Sequence, residues 1–261
     1  SPKMTLPSET QPAAPGEVQI SEADGVRFLH LGGGAVQSAM RLDAPLQLEL
    51  EYTRAMMGFL LFHRQPRDVC LIGLGGGSLA KFIHRHLPDS RLTALEIQPE
   101  VVTAARDWFG LPPDDERLRV IVGDGADYVQ TQPQSQDVLL IDGYDAEQIA
   151  SELTTPAFYR ACHAMLRPGG VAVFNLWGSD SRFQGFRDDL AQAFGQHVLQ
   201  LPAETKANIV VFGFRAPLPD TSFAYLAGRA ERLQSDLGLD YDNFLVGMGY
   251  CNTCTRDGFQ V

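Results

Sequence analysis

The stretch Asp68-Val-Cys-Leu-Ile-Gly-Leu74 is a continuous apolar run that leads directly into Gly73-Leu-Gly-Gly-Gly-Ser78. A run of this length without polar alternation is what a strand buried on both faces requires, and such strands belong to parallel sheets covered by helices. The glycines let the backbone turn sharply and approach a ligand where a Cβ would collide. Leu79, Phe82, Ile83 and Leu87 then recur at helical spacing over Ser78–Leu87. Strand, glycine turn and helix in immediate succession restrict the chain to an α/β architecture with its ligand at the strand end.

The same alternation continues. Arg91–Ile97, Leu118–Val122, Asp137–Ile141 and Val171–Leu176 read as further buried strands. Helices are predicted between and after them: one opened by Pro99, a residue suited to a first helical position, one over Thr155-Pro156 to Leu166, and one over about Ser181–Phe194. Ahead of the first strand, Tyr52–Phe62 reads as a helix. His197–Leu201 and Asn208–Phe214 read as a closing strand pair, and Phe223–Leu237 as an amphipathic helix. The order predicts a Rossmann-like, doubly wound, seven-stranded mixed sheet of the class I S-adenosylmethionine-dependent methyltransferase type, because a plain dehydrogenase would lack the hairpin-like end.

Before residue 49 the texture differs. Val18–Ile20, Val26–Leu31 and Ala35–Met40 are short alternating segments separated by Gly25 and Gly32-Gly33-Gly34, the pattern of a small antiparallel β element. The expected organisation is a flexible lead-in over 1–17, a β element over 18–48 and a nucleoside-binding catalytic domain over 49–261. The lead-in is rich in Pro, Ser and Thr and lacks the apolar core of a secretory signal. No apolar run approaches the roughly 18 residues a spanning helix needs, so a cytoplasmic protein without a membrane partner is expected. A net charge of -11 with no block of Lys or Arg would repel a phosphate backbone, which argues against nucleic acid.

Four segments fall at the carboxyl ends of the predicted parallel strands. The glycine loop contributes Gly73, Gly75, Gly76 and Gly77. Glu96, roughly 20 residues further on, is placed to accept hydrogen bonds from ribose hydroxyls, although a surface glutamate at a strand end would read the same. Gly123-Asp124-Gly125 offers an acid to an adenine amine, or a cap to the next helix, or both. Asp142-Gly-Tyr-Asp145 places two acids and Tyr144 where transfer chemistry is expected, able to hold an ammonium group and assist loss of its proton. The acid at 124, and Ser78 in place of the last glycine or alanine of a dinucleotide fingerprint, favour an S-adenosylmethionine-type nucleoside over NAD.

Cys70 and Cys162 sit in apolar segments and read as buried thiols, whereas Cys251 and Cys254 form a C-x-x-C. A tetrahedral zinc would need two more ligands, and neither a second C-x-x-C nor an H-x-x-x-H is present, so no metal is expected.

Taken together, LEIQPEVV, VGDGADY, DVLLIDGYD and LTTPAFYRACHAMLRPGG resemble the polyamine aminopropyltransferases, the spermidine synthase family, over about Val18 to Phe214. The resemblance implies that Gln37 lies near the nucleoside, Glu96 holds the ribose and Asp124 the adenine. It also implies that Asp142 is the catalytic aspartate, Asp145 the second, amine-binding one, and Tyr52 a substrate-binding tyrosine. The co-substrate implied is decarboxylated S-adenosylmethionine, the partner a polyamine-like amine, and the assembly a homodimer. Departures are visible: Gly76 stands where the family has the aspartate of G-G-G-D-G, Ala146 follows Asp145 in place of proline, and Ala39-Met40 replace T-E. With LWGSD and Tyr52-Thr53-Arg54, they resemble a divergent spermidine-synthase-like branch. Without an acid at Gly76, discrimination against the carboxylate of intact S-adenosylmethionine should weaken. Methyl transfer, and nucleoside binding without turnover, are therefore the alternative expectations. No N-P-P-Y follows the fourth strand, which argues against DNA bases or glutamine amides as methyl acceptors.

Overall fold

The computed structural model describes residues 16–32, 35–144, 149–203 and 207–261. Three strands, β1 (Gln19–Ala23), β2 (Val26–His30) and β3 (Val36–Arg41), form an antiparallel sheet in that order. Its apolar face, with Ile20, Leu29 and Met40, packs on Val101, Ala104 and Phe109 of the main body.

The main body is a seven-stranded sheet. Its strands are β4 (Asp68–Ile72), β5 (Arg91–Glu96), β6 (Leu118–Val122), β7 (Gln136–Ile141), β8 (Leu166–Trp177), β9 (Val198–Pro202) and β10 (Asn208–Phe214). The order across the sheet is β6-β5-β4-β7-β8-β10-β9, with β4, β5, β6, β7 and β8 parallel and β10 antiparallel to both neighbours. The expected hairpin-like end is therefore present. Strand order reverses between β4 and β7, and a ligand crevice opens where the loops from two such strands diverge.

The helices are α1 (Glu51–Met56), α2 (Ser78–His86), α3 (Pro99–Trp108), α4 (Gly125–Gln130), α5 (Pro156–Met165), α6 (Phe183–Ala193), α7 (Phe223–Leu237) and α8 (Tyr241–Cys251). Successive residues of the strands feed two separate cores, as a period of two demands. Val69, Leu71, Val138 and Leu140 meet Phe59, Phe212 and Leu79 on one side of the sheet. Cys70, Ile72, Leu139 and Ile141 meet Phe158, Cys162 and Leu190 on the other. Both thiols are fully buried, and burial pushes the Cys70 thiol up to about 12.

Three departures from the sequence reading have local causes. The stretch expected as one helix over Tyr52–Phe62 is α-helical to Met56 and tightens to a 3-10 turn over Met57–Leu61, where every residue is buried. A Cβ on Gly58 would lie 3.1 Å from the Phe212 ring, so this turn presses against β10 more closely than a regular helix surface would. Strand β8 starts at Leu166, five residues early, because Leu166 already pairs with Gln136. Helix α8 was not anticipated. It is held by Asp240, whose carboxylate caps Asn243 N at 3.2 Å, and by Tyr241, whose buried hydroxyl donates to Met57 O at 2.9 Å.

Lys81 ties the glycine-loop helix to the segment after β3 and to the end of α3. Its ammonium is buried in α2 and donates to Pro45 O at 2.8 Å and Phe109 O at 2.7 Å, and desolvation lowers it to about 8. A buried cation is tolerated only when its protons are satisfied in this way.

Candidate active site

The tips of β4, β5, β6 and β7 converge on a cleft of about 860 Å³, open solvent at its mouth included. Gly73, Gly75, Glu96, Asp124, Gly125 and Asp142 line it, together with Gln37 from the small sheet and Tyr52 from α1. Strands β4 and β7 touch at their ends. Gly73 has φ +92°, and a Cβ there would collide with the carbonyl of Asp142, so only glycine fits both the conformation and the space.

Glu96 is fastened to the glycine loop. Oε1 accepts from Leu74 N at 3.2 Å and Gly75 N at 3.4 Å, and Oε2 accepts from Gln98 N at 3.1 Å. Burial raises its pKa, while these backbone donors pull the other way. These backbone donors fix the carboxylate in the wall of the cleft. Asp124 caps α4, with Oδ1 accepting from Ala126 N at 2.8 Å and from Asp127 N at 3.4 Å. Both cap bonds land on Oδ1, so Oδ2 remains available to a ligand donor, and the two expected roles are compatible.

Gly76 and Gly77 stand apart from the other expected loop residues. Gly76 N donates to Ser38 Oγ at 2.7 Å, and a Cβ on Gly76 would lie 2.9 Å from Ser38 Cβ and 3.2 Å from the Phe109 ring. Its α-carbon faces the small sheet rather than the cleft. Gly77 is the N-cap of α2 and faces Leu111. Their part in the site is to carry the turn.

A second chamber of about 880 Å³ adjoins the first. The two share Gln37, Tyr52, Asp142 and Tyr144, and the second adds Val36, Asn175, Trp177 and Asn208. Asp142 stands in the shared wall. Its Oδ2 accepts from the Tyr52 hydroxyl at 3.0 Å and its Oδ1 from Asn175 Nδ2 at 3.0 Å. Desolvation pushes its carboxyl up to about 7; those two donors offset part of the shift and the charge of Glu96 adds to it. The Tyr52 phenol is held well above its ordinary range by burial and by Asp142, and so stays a donor. Tyr144 is committed elsewhere than to Asp142: its hydroxyl donates to the Asn175 carbonyl, and its ring stacks on Trp177 with centroids 4.8 Å apart. Asp145, the other acid expected here, lies outside the described residues.

Sequence reasoning missed Asn175, Asn208 and Trp177. Asn175 had a signal: it is a polar residue in the middle of the apolar run Val171-Ala-Val-Phe-Asn-Leu-Trp177, and it is 1% exposed. A buried amide in a central strand demands partners. Asn208 carries no comparable signal at the head of its strand. Among the described residues no cluster of three or more His, Cys, Asp or Glu gathers to hold a metal ion, and Cys251 and Cys254 are exposed free thiols.

Comparison with known proteins identifies the family. The family model for the spermine/spermidine synthase domain matches residues 49–181. A polyamine aminopropyltransferase from Neisseria meningitidis serogroup A is 42% identical over 94% of each chain. Another, from Chromobacterium violaceum, is 43% identical over 92% of each chain. Among solved structures, human methyltransferase-like protein 13 in complex with SAH superimposes with a TM-score of 0.64 at 26% identity, covering 72% of this chain and 93% of that one. The chain belongs to the spermine/spermidine synthase family.

Proposed function

We propose that the protein transfers an aminopropyl group from decarboxylated S-adenosylmethionine to a small amine, and that Asp142 is the catalytic residue. The observation that carries this is the position of Asp142 in the wall between two chambers, where one carboxylate faces both a donor and an acceptor. The nucleoside is assigned to the first chamber, its ribose on Glu96 and its adenine near Asp124. The amine is assigned to the second, against Tyr144 and Trp177.

In the reaction the amine nitrogen attacks the methylene carbon bonded to the sulfonium. The new C–N bond forms as the C–S bond breaks, its electron pair returns to sulfur, and methylthioadenosine leaves. The surplus proton on nitrogen passes to Asp142. A carboxylate with a pKa of about 7 is matched to that task near neutral pH. The sulfonium is already an activated leaving group, so most of the acceleration is assigned to alignment of the two substrates.

Incubation of the full chain with decarboxylated S-adenosylmethionine and putrescine should yield methylthioadenosine, measured by liquid chromatography. No product with putrescine or with other amines would overturn the proposal. A second reading is methyl transfer from intact S-adenosylmethionine, since the glycine loop brings no acid to the cleft that would repel its carboxylate. Calorimetry with the two nucleosides separates these: a clear preference for the decarboxylated form removes the second.

A further inference from the structure

Asn175 presents two different ends to its neighbours. Its Nδ2 donates to Asp142 Oδ1 at 3.0 Å, and its Oδ1 accepts from Asn208 Nδ2 at 3.0 Å. The second contact matches the first. An amide turned by 180° would put its oxygen against the Asp142 carboxylate and its NH2 against the NH2 of Asn208, two repulsions in place of two bonds. Strand pairing puts the two residues together: Asn175 is opposite Val210 and Asn208 opposite Trp177, so the two asparagines are diagonal neighbours on one face of the sheet. Both are buried, so water is a poor substitute for either partner.

We propose that Asn208 is a positioning residue: by donating to Asn175 it fixes the Asn175 amide with its NH2 towards Asp142, and so keeps Asp142 a proton acceptor. The inference rests on the aminopropyl-transfer reading for its catalytic consequence, but the amide orientation stands by itself. The groups facing Asp142 are Tyr52 from α1, Tyr144 from the loop after β7, Glu96 at the end of β5 and Asn175 from β8. Glu96 and burial favour the protonated form, while Tyr52 and Asn175 favour the ionised one. Of the two donors, Tyr52 can rotate its own O–H bond. The direction of the Asn175 amide is set from outside, by β10.

An Asn208→Asp variant replaces the donor with an acceptor. Asn175 should then turn its NH2 towards residue 208 and its oxygen towards Asp142. The midpoint of Asp142 can be followed without turnover by carbon NMR on aspartate-labelled protein, the resonance identified by its loss in Asp142→Asn. The midpoint should rise by at least one pH unit in Asn208→Asp, and the acidic limb of kcat should move with it. For a one-unit rise the rate should fall about fivefold at pH 7 and recover towards the parent at pH 9. In Asn175→Ala/Asn208→Asp the midpoint should match that of Asn175→Ala alone, since the amide that transmits the change is gone.

An unchanged midpoint in Asn208→Asp would overturn the proposal. So would a rate lowered equally at every pH, or the same rise with Asn175 removed, which would mean direct repulsion between two acids. Should Asn208→Asp fail to fold, Asn208→Ala, which only frees the amide, should give a smaller rise, and none would be equally fatal. Failure to form methylthioadenosine in the parent would sink the functional reading and leave the NMR result standing.

Discussion

An Asp142→Asn variant keeps the shape of the side chain and removes its charge. The amide oxygen can take the bond from Asn175 Nδ2, and the amide NH2 can donate to the Tyr52 oxygen, whose proton can turn to Gln37 O at 3.4 Å. No cavity and no unpaired group results. The charge, however, is costly where it stands. Burial raises the Asp142 pKa from 3.8 to about 7, so between these values the folded protein holds a proton that the unfolded chain has released. Folding stability therefore falls as pH rises through this window and stays low above it. Three units correspond to about 4 kcal/mol, and some solvent access at the cleft reduces this to a range of about 2–4 kcal/mol. Asparagine escapes the penalty. At pH 8 the variant should be more stable by that amount, or about 5–10 °C in Tm for a chain of this size. At pH 5 the gain should shrink to about 1.5 kcal/mol or less, and it should nearly vanish by pH 4. Aminopropyl transfer should fall about 10²–10⁴-fold at pH 8, and by much less at pH 5, where the parent's carboxyl is already mostly protonated. Urea denaturation at pH 5 and pH 8 measures the stability, and methylthioadenosine release measures the activity. A variant less stable than the parent at pH 8, or equally shifted at both pH values, would refute the reasoning, because it would show that the Asp142 charge is not desolvated in the folded protein.

Three further outcomes are expected. Glu96→Gln places an NH2 where Oε2 now accepts from Gln98 N, so methylthioadenosine affinity should drop about 10–100-fold by calorimetry, in keeping with one to two charge-assisted hydrogen bonds; unchanged affinity would detach Glu96 from the nucleoside. Gly76→Asp, which restores the acid typical of the family, should not sharpen selectivity for decarboxylated S-adenosylmethionine. It should instead destabilise by about 1–3 kcal/mol in chemical denaturation, because its Cβ would sit 2.9 Å from Ser38 Cβ; a stable, more selective variant would show that the loop faces the cleft. Tyr241→Phe leaves Met57 O without its buried donor and should cost about 1–3 kcal/mol in the same assay, and a neutral result would mean that α8 is not anchored there.

The central strands were legible because burial on both faces leaves few polar interruptions, as in Asp68–Ile72 and Asp137–Ile141. The cleft was legible because its parts sit at strand tips, and a strand tip is visible in one dimension. What escaped was set by pairing between distant segments. Asn175 and Asn208 are 33 residues apart and meet only because β10 runs back along β8. Gly76 reads as part of a ligand loop, yet its direction is decided by Ser38, from the small sheet. Helix α8 escaped because Phe244, Leu245, Val246 and Met248 follow one another too densely to mark a single face, and Val246 is in fact 55% exposed. Tyr52 is the opposite case. A sequence resemblance alone connects it to the site, and its hydroxyl lies 3.0 Å from Asp142.

The shared wall between the chambers has a consequence for turnover. On the proposed assignment, a sulfonium arriving on one side would hold Asp142 anionic, which would strengthen its attraction for an ammonium on the other; by reciprocity the amine would do the same for the nucleoside. Transfer would then move the positive charge from sulfur to nitrogen and leave methylthioadenosine neutral. The carboxyl, now carrying the reaction's proton, loses its hold on the cationic product. On that assignment, loading and discharge would follow the charge state of one side chain, and the chemical step itself would favour the exit.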